Sequence, residues 1–302
     1  MTDDRSDTPP RPAGARMWVV AIVLGALAPI SGWLAWEVAS EVHVQQERSY
    51  RELRRAANEF AVSVNRELSS SMDALTVLSQ SELFQQGRIT AMGRLLQGRP
   101  RRDWDSIFLL DVQGNVVLDT APRPPPPQAL RELHAAALKT LTPVVSGAGQ
   151  PPGIAIAMPV TQGDHVRYVL GVRLNDAVWP RLAANASLPA QARARLYDRQ
   201  GHLISQSDGS GGGTLGASVL QPMQRAPAGL QRAPDGDRDA YTAWDVVPVA
   251  GWFARISMPA APIDATTREL VFHGLSTSGA ALLAGLVLAT ALARVFVRRA
   301  GL

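Results

Sequence analysis

The stretch LLDVQGNVVLDT (109–120) recurs in degenerate form as RLYDRQGHLISQ (195–206). In each copy an aspartate precedes a glycine by three residues, and short apolar runs flank this pair. An aspartate and a glycine between two apolar runs are typical of a tight turn that joins two antiparallel strands. The repeat therefore predicts two similar units, each of which contains one hairpin of this kind.

Further short apolar runs accompany the hairpins and complete the predicted sheets. Strands are predicted at 144–145, 154–159, 168–174, 241–247 and 252–258, with helices at 128–141 and 176–184. The Gly-rich segment at 208–216 and the polar residues after it predict loops. Within these loops, Asp235 and Asp237 are expected to be solvated carboxylates.

A long amphipathic helix is predicted before the first unit. Tyr50, Leu53, Ala57, Phe60 and Val64 recur at intervals of three and four residues, which is the period of one helical face. A helix from about 37 to 80 is roughly 60 Å long, which exceeds what one compact domain needs for its core. We expect its apolar stripe to pack on the domains that follow, to pair with its copy in a homodimer, or both.

Two uncharged apolar runs, at 17–36 and 275–293, bracket this region. A helix of about 20 apolar residues crosses the ~30 Å hydrocarbon core of a bilayer, so both runs predict transmembrane helices. Arginines precede the first run and follow the second, and positively charged flanks favour the cytoplasmic side. We therefore expect a protein that crosses the bacterial inner membrane twice, with residues 39–272 in the periplasm.

A cleaved signal peptide is the alternative for the first run, because residues 38–40 (Val-Ala-Ser) offer a cleavage position. The apolar region of a signal peptide is typically ~7 to 15 residues long. The run at 17–36 is longer and continues into a helical pattern, which favours an uncleaved anchor.

The composition excludes several classes of function. The chain has no cysteine, so it contains no disulfide, metal thiolate or thiol redox motif. Its formal net charge is +4, but the arginines are scattered among Asp and Glu, which argues against nucleic acid as a partner. The five histidines lack metal-ligand spacing, and no phosphate loop or nucleophile elbow is present. We expect no catalytic residue, no metal, no cofactor and no enzymatic activity in this chain.

The order of these features resembles that of a known family. The matching stretches are WDSIFLLDVQGNVVLDTAPRP (104–124), IAIAMPVTQGDHVRYVLGVRL (154–174), ARLYDRQGHLISQS (194–207) and VAGWFARISMP (249–259). Together they resemble the double Cache sensor region of bacterial sensor histidine kinases, chemoreceptors and cyclic-di-GMP enzymes. The resemblance implies an α+β fold, in which two tandem PAS-like (Cache) antiparallel-sheet domains lie on a long N-terminal helix between two transmembrane helices.

The sequence patterns and this resemblance together divide the chain into seven segments. They are a disordered cytoplasmic tail (1–16), a transmembrane helix (17–38), a long extracytoplasmic helix (39–85), a membrane-distal Cache domain (86–187), a membrane-proximal Cache domain (188–262), a helix entering the second span (263–297) and a cytoplasmic end (298–302).

The resemblance also implies a small-molecule ligand bound in the distal domain. Trp104, Asp119, Arg123, Arg167 and Tyr168 lie at the ends of predicted strands, where such a pocket forms, and are the candidate ligand-binding residues. An arginine there suits a carboxylate ligand through bidentate hydrogen bonds. Core packing and ordinary strand-end polarity are the alternative explanation for each residue. The arginine-aromatic-tyrosine cluster of amino-acid-binding members of the family is absent from the sequence.

The sequence therefore predicts the receptor module of a signal-transduction system, most simply of the sensor histidine kinase type. Ligand binding in a homodimer would shift the second transmembrane helix relative to the first and reach a cytoplasmic output domain or a separate signalling partner. The alternative is a structural inner-membrane scaffold or polysaccharide chain-length regulator, which also has two terminal spans. Such proteins contain mainly long helices between the spans, whereas the two hairpins predict sheets.

Overall fold

The computed structural model describes residues 13–97, 101–123, 127–148, 153–163, 165–207, 213–236 and 238–265, with scattered residues between 272 and 291. Helix α1, Ala13–Ser79, confirms the predicted long helix and includes the first apolar run. The second apolar run lies mostly outside the described residues, as do the side chains of 17–35. Within the described residues, no helix has the length and apolarity needed to span a bilayer. Both sheets, with α1 from Ser49 onward, belong to one compact unit, Ser49–Ala260.

The first sheet has five antiparallel strands in the order β2-β1-β5-β4-β3. The strands are β1 (Trp104–Asp111), β2 (Val116–Asp119), β3 (Val144–Val145), β4 (Ala155–Gln162) and β5 (His165–Leu174). Two short helices that the sequence pattern did not indicate precede it, α2 (Glu82–Gln85) and α3 (Ile89–Leu96). Helix α4 (Arg131–Thr140) follows a 3-10 turn and joins β2 to β3.

The second sheet repeats this topology in the order β7-β6-β10-β9-β8. Its strands are β6 (Arg193–Tyr197), β7 (Leu203–Gln206), β8 (Ala228–Asp235), β9 (Arg238–Val247) and β10 (Trp252–Pro259). Helix α5 (Val178–Ala184) lies between the two sheets in the chain, and α6 (Ala217–Arg225) joins β7 to β8 as α4 joins β2 to β3. The shared strand order confirms the internal repeat.

Both hairpins of the repeat use the same turn chemistry. In each turn, Oδ1 of the aspartate, Asp111 or Asp198, accepts hydrogen bonds from the backbone N–H groups two and four residues later, at 2.8–2.9 Å. The glycines have positive φ angles, 86° at Gly114 and 84° at Gly201. Glycine adopts this left-handed conformation without a steric penalty, which explains why an aspartate and a glycine three residues apart mark both turns.

Each sheet is covered on one face by the helix that follows its second strand. Under α4, the core includes Phe108, Leu110, Leu130, Leu133, Ala137, Ala155, Ala157 and Val169. Under α6, the corresponding core includes Tyr197, Val219, Met223, Ala233, Trp244 and Phe253. The two halves therefore bury equivalent faces.

Helix α1 contacts both sheets along its apolar stripe, whose Leu53, Phe60, Val64, Leu68 and Leu75 are fully buried. In the second half of α1, Asn58 Nδ2 donates to Asp245 Oδ2 at 2.8 Å, and Asn65 Oδ1 accepts from the Val249 backbone N–H at 3.1 Å. Toward its end, Ser71 Oγ accepts from Trp104 Nε1 at 3.0 Å. Packing of the stripe on the following domains is thus confirmed, whereas homodimer pairing stays a prediction.

The prediction of polar loops after the Gly-rich segment was wrong. Residues 217–225 and 228–235 form α6 and β8 instead. Asp235, expected to be solvated, is only 9% exposed, because the tip of the β8 and β9 hairpin brings it against an arginine of β6. Local sequence gives no sign of this burial, since the contact is with a strand 40 residues away. Asp237 lies outside the described residues.

Candidate functional site

Trp104, the first predicted ligand-binding residue, begins β1 and is only 3% exposed. Its indole Nε1 donates to Ser71 Oγ of α1, and the Arg101 guanidinium lies 5.5 Å from the centroid of the indole ring. These contacts attach the first sheet to α1. They leave the indole on the α1 side of the sheet.

Asp119 ends β2 on the other side of the sheet, where it pairs with Arg173 of β5. Arg173 Nη2 lies 3.1 Å from Asp119 Oδ1, and the two side chains are 11% and 5% exposed respectively. Arg173 Nε donates to Ser106 Oγ at 2.5 Å. One carboxylate pairs with one guanidinium, so the charges of this cluster balance. The Nε–H of Arg173 also has a hydrogen-bond acceptor.

Arg123, Arg167 and Tyr168 are more accessible. Arg123 is exposed in the loop after β2. Arg167 is exposed near the start of β5, where its guanidinium lies 5.5 Å from the centroid of the Tyr168 ring and donates to Gln162. This geometry is that of a cation–π contact.

The structure therefore brings Arg167 and Tyr168 together but does not assemble the five residues into one constellation. Arg167 lies near the start of β5. Asp119 pairs with Arg173, which lies six residues farther along the same strand. Trp104 contacts α1, whereas Asp119 lies opposite Phe108, which packs under α4. Their role in ligand binding stays a prediction.

A cleft of about 410 Å³ lies between the segment after α4 and the turn of the second hairpin. Thr140, Ser146, Asp198, Gln200 and Trp252 are among its lining residues. A volume in this range is sufficient for a small organic molecule, and the lining combines a carboxylate, hydroxyls and an aromatic ring. The cleft therefore has the size and the mixed lining that a small ligand requires.

Asp198 joins the two halves of the molecule at this cleft. Its side chain is almost fully buried, and Oδ2 accepts a hydrogen bond from the Ala148 backbone N–H at 2.9 Å. The same oxygen lies 3.1 Å from His202 Nδ1. Since Ala148 belongs to the loop between β3 and β4, the turn aspartate of the second hairpin also acts as a contact with the first sheet.

The equivalent Asp111 uses its second oxygen differently. Asp111 Oδ2 accepts from Asn115 Nδ2 at 2.8 Å, and this hydrogen bond, supported by backbone N–H groups of the same turn, lowers the pKa of Asp111. The backbone oxygen of Asp111 is bonded to His134 Nε2 of α4 at 2.9 Å. The repeat thus conserves the turn in both halves but uses it for different contacts.

No protein-family model and no curated protein matches the sequence. Solved structures do match the fold. The sensory domain of the Campylobacter jejuni chemoreceptor Tlp3 (CcmL) is 16% identical, with a TM-score of 0.58 over 74% of this chain and 98% of that chain. The extracellular domain of rpHK1S-Z16, described as a histidine kinase, is 15% identical, with a TM-score of 0.57 over 71% and 95%.

The chain has the double Cache fold. A third neighbour is the ligand-binding domain of the Pseudomonas aeruginosa PAO1 amino acid chemoreceptor PctB in complex with L-Gln, with 15% identity and a TM-score of 0.51 over 77% of this chain and 96% of that chain. At these identities the likeness establishes the two PAS-like sheets on a long helix. The α+β fold class expected from the order of sequence motifs is thereby confirmed.

Two residues of these sites were missed from the sequence. Arg173 interrupts the apolar run of β5, and the strand period places it on the same face as Val169, which is a signal of a core-facing charge. The turn role of Asp198 was visible in the repeat. The hydrogen bond between Asp198 and the Ala148 backbone N–H could not be predicted, because the two residues are 50 positions apart in the sequence.

Proposed function

We propose that the chain is the membrane-anchored, extracytoplasmic receptor module of a signal-transduction system of the sensor histidine kinase type. The observation that carries this proposal is the pair of PAS-like sheets attached to one helix, α1, which also includes the first apolar run. Solved structures with this fold are sensory domains of histidine kinases and chemoreceptors. The two sheets also disfavour the scaffold alternative, which requires a mainly helical region between the spans.

The proposed ligand is a small molecule, with carboxylates as one class to test. Tlp3 has been solved with isoleucine and PctB with L-Gln, both of which are small enough for a cleft of about 410 Å³. Accessible contacts in this chain are the cleft itself, Arg123, and the paired Arg167 and Tyr168.

The proposed mechanism is a shift between two arrangements of a homodimer. Because α1 contacts both sheets, a change in either sheet reaches the same helix. A ligand moves this equilibrium only through its different affinities for the two arrangements, so a coupling of ~3 kcal/mol requires roughly 150-fold discrimination. The signal would pass through the two spans to a cytoplasmic output domain or a separate partner.

Cysteine labelling tests the proposed topology, because the chain has no native cysteine. Ala190→Cys introduces a thiol at an exposed position between the two sheets, and Ala300→Cys introduces one after the second apolar run. In intact spheroplasts, a membrane-impermeant maleimide should label the variant at 190 and should label the variant at 300 only after permeabilisation. Equal labelling of both variants before permeabilisation would exclude the two-pass arrangement.

A thermal-shift screen of the purified full-length protein tests the sensor role. A ligand of the proposed kind should raise the melting temperature, and Arg123→Ala or Arg167→Ala should weaken its binding at least tenfold if that arginine contacts it. Arg102→Ala, also at an exposed arginine, is the matched control and should bind as the wild type does. If small carboxylates, amino acids and related metabolites leave the melting temperature unchanged, the sensor proposal loses its support.

A further inference from the structure

The centre of the second sheet carries two arginines where the first sheet has an apolar pair. When the two hairpins are aligned on their turn aspartates, Arg195 takes the position of Phe108 and Arg255 takes the position of Gly171. In the first sheet, the Phe108 ring covers Gly171 on the neighbouring strand. In the second sheet, Arg195 of β6 lies directly opposite Arg255 of β10. A charged pair thus replaces the apolar centre of the repeat.

Both arginines are buried, with 7% exposure for Arg195 and 3% for Arg255. Asp235, the last residue of β8, contacts both of them. Asp235 Oδ1 accepts a hydrogen bond from Arg195 Nη1 and lies 3.5 Å from Arg255 Nη1. Asp235 Oδ2 accepts from Ser257 Oγ at 2.8 Å, so the carboxylate is fully engaged.

The remaining donors of the pair are not all satisfied. Arg255 Nη2 donates to the Pro234 carbonyl oxygen at 3.3 Å and to Thr242 Oγ1 at 3.2 Å. The Nε atoms of both arginines are buried and have no hydrogen-bond partner among the described residues. Leaving a buried donor on a charged group unpaired is costly.

The charges of the cluster are also unequal. Among the described residues in contact with the pair, two guanidiniums face one carboxylate, which leaves one positive charge in excess. The Arg173 cluster of the first sheet provides the contrast, since there one guanidinium faces one carboxylate and its Nε is bonded. Among the described residues, the cluster of Arg195, Arg255 and Asp235 therefore lacks the negative charge that would balance it as the Arg173 cluster is balanced.

We propose that Arg195 and Arg255 form a binding site for a small monocarboxylate in the second sheet. A carboxylate has two acceptor oxygens for the two Nε–H donors that have no partner among the described residues, and its single charge balances the described cluster. Residues directly opposite each other on adjacent strands have Cβ atoms about 4.5–5.5 Å apart, so one anion can reach both guanidiniums.

The neighbourhood favours a carboxylate that carries a short alkyl chain. Tyr197, Trp244 and Phe253 form an apolar cluster on the same sheet face, next to the arginine pair in the register of β6, β9 and β10. An alkyl group bound there would be removed from water beside the charged end. This site is separate from the cleft and from the candidates of the first sheet, so it does not depend on the proposed sensor function.

Acetate is the probe for the test, with sodium chloride at equal ionic strength as the salt control. For the purified full-length protein, acetate should raise the melting temperature in a saturable manner that chloride does not reproduce. Arg195→Lys and Arg255→Lys keep the charge but remove the Nε donor, and each should raise the half-saturating acetate concentration at least tenfold. Arg173→Lys changes the balanced cluster of the first sheet and should leave the acetate response unchanged.

Asp235→Asn gives an independent result, because it removes the negative charge that competes for the pair. This variant should bind acetate roughly tenfold more tightly, since a second uncompensated positive charge faces the anion. The proposal is overturned if the wild type shows no acetate-specific stabilisation. It is also overturned if the Asp235→Asn variant binds acetate no more tightly than the wild type does. This comparison tests the proposal even where a lysine variant fails to fold. Stabilisation by sulfate but not by acetate would instead assign the pair to an oxyanion of another class and overturn the carboxylate assignment.

Discussion

Gly171 shows how little space the first sheet leaves at its centre. A methyl group at this position would overlap the Phe108 ring and come within 2.8 Å of the Ile156 carbonyl oxygen. We expect Gly171→Ala to lower the free energy of unfolding by about 3 kcal/mol or more, because the buried Phe108 ring must shift to admit the methyl group and the backbone oxygen cannot move aside as a side chain can. Urea denaturation measures this loss.

Two further variants identify the clash as the cause. Gly213→Ala, where no described atom lies within 4 Å, should change stability little. Adding Phe108→Leu to Gly171→Ala should recover part of the loss, since the ring is the nearest obstacle. A double variant less stable than Gly171→Ala alone would show that the ring is not the obstacle.

Glu67 on α1 gives the protein a predictable dependence on pH. Burial, followed by the neighbouring Asp103, raises the pKa of Glu67 above its usual 4.5, and Arg101 and Arg181 offset this only in part. In the pH window just above 4.5 the folded state therefore holds a proton that the unfolded state has lost, so stability falls as the pH rises through this window. Glu67→Gln removes this dependence.

The measurement is the unfolding free energy of the wild type and Glu67→Gln at pH 4 and pH 7. The difference in favour of the variant should grow from pH 4 to pH 7. Glu52→Gln, at an exposed position of the same helix, should show no such growth. A constant difference between wild type and Glu67→Gln would contradict the raised pKa.

The two hairpins share one turn chemistry but have different surroundings. Substituting their aspartates should therefore lower the free energy of unfolding by different amounts. Asp198→Ala leaves the buried Ala148 N–H without its acceptor, in addition to the two turn N–H groups, and should cost about 2–3 kcal/mol. Asp111→Ala affects a more exposed turn and should lower the free energy of unfolding less than Asp198→Ala does. Urea denaturation of both variants compares them directly, and equal losses would contradict a junction role for Asp198.

Among the secondary-structure elements, the sequence predicted those whose residue pattern is contained within the element itself. The hairpins were visible because the turn itself requires an aspartate and a glycine, and α1 was visible because its stripe follows the helical period. Strand β8 was missed, because its residues, AGLQRAPD, alternate small, polar and charged side chains without an apolar face. Asp235 is buried only through a contact made after the whole second sheet has formed, and no local pattern encodes that.

The ligand site was the least predictable feature for the same reason. Trp104 and Asp119 both lie at strand ends, yet Trp104 contacts α1 and Asp119 pairs with Arg173. Which face a strand-end residue occupies depends on bulges, such as the register shift between Trp104 and Ser106. A one-residue shift reverses the face, so spacing alone could not separate these roles.

At the scale of the whole molecule, α1 is a continuous connection between the two sheets. Its residues 58 and 65 bond to the second sheet's half and residue 71 bonds to the first sheet. Arg66→Pro would interrupt the helix between these contacts at an exposed position, where no core side chain is lost. A proline in a helix interior costs about 3 kcal/mol or more, because it removes a hydrogen bond and clashes with the preceding turn.

We therefore expect Arg66→Pro to do more than lower stability. In the wild type, fluorescence from Trp104 in the first sheet and Trp252 in the second should report one urea transition, when each is read in a variant whose other tryptophans are replaced by phenylalanine. In the Arg66→Pro background the two midpoints should separate, whereas Arg66→Ala should leave them coincident. Coincident midpoints in the proline variant would mean that the sheets are coupled through the Asp198 junction instead of through α1, and adding Asp198→Ala should then separate them.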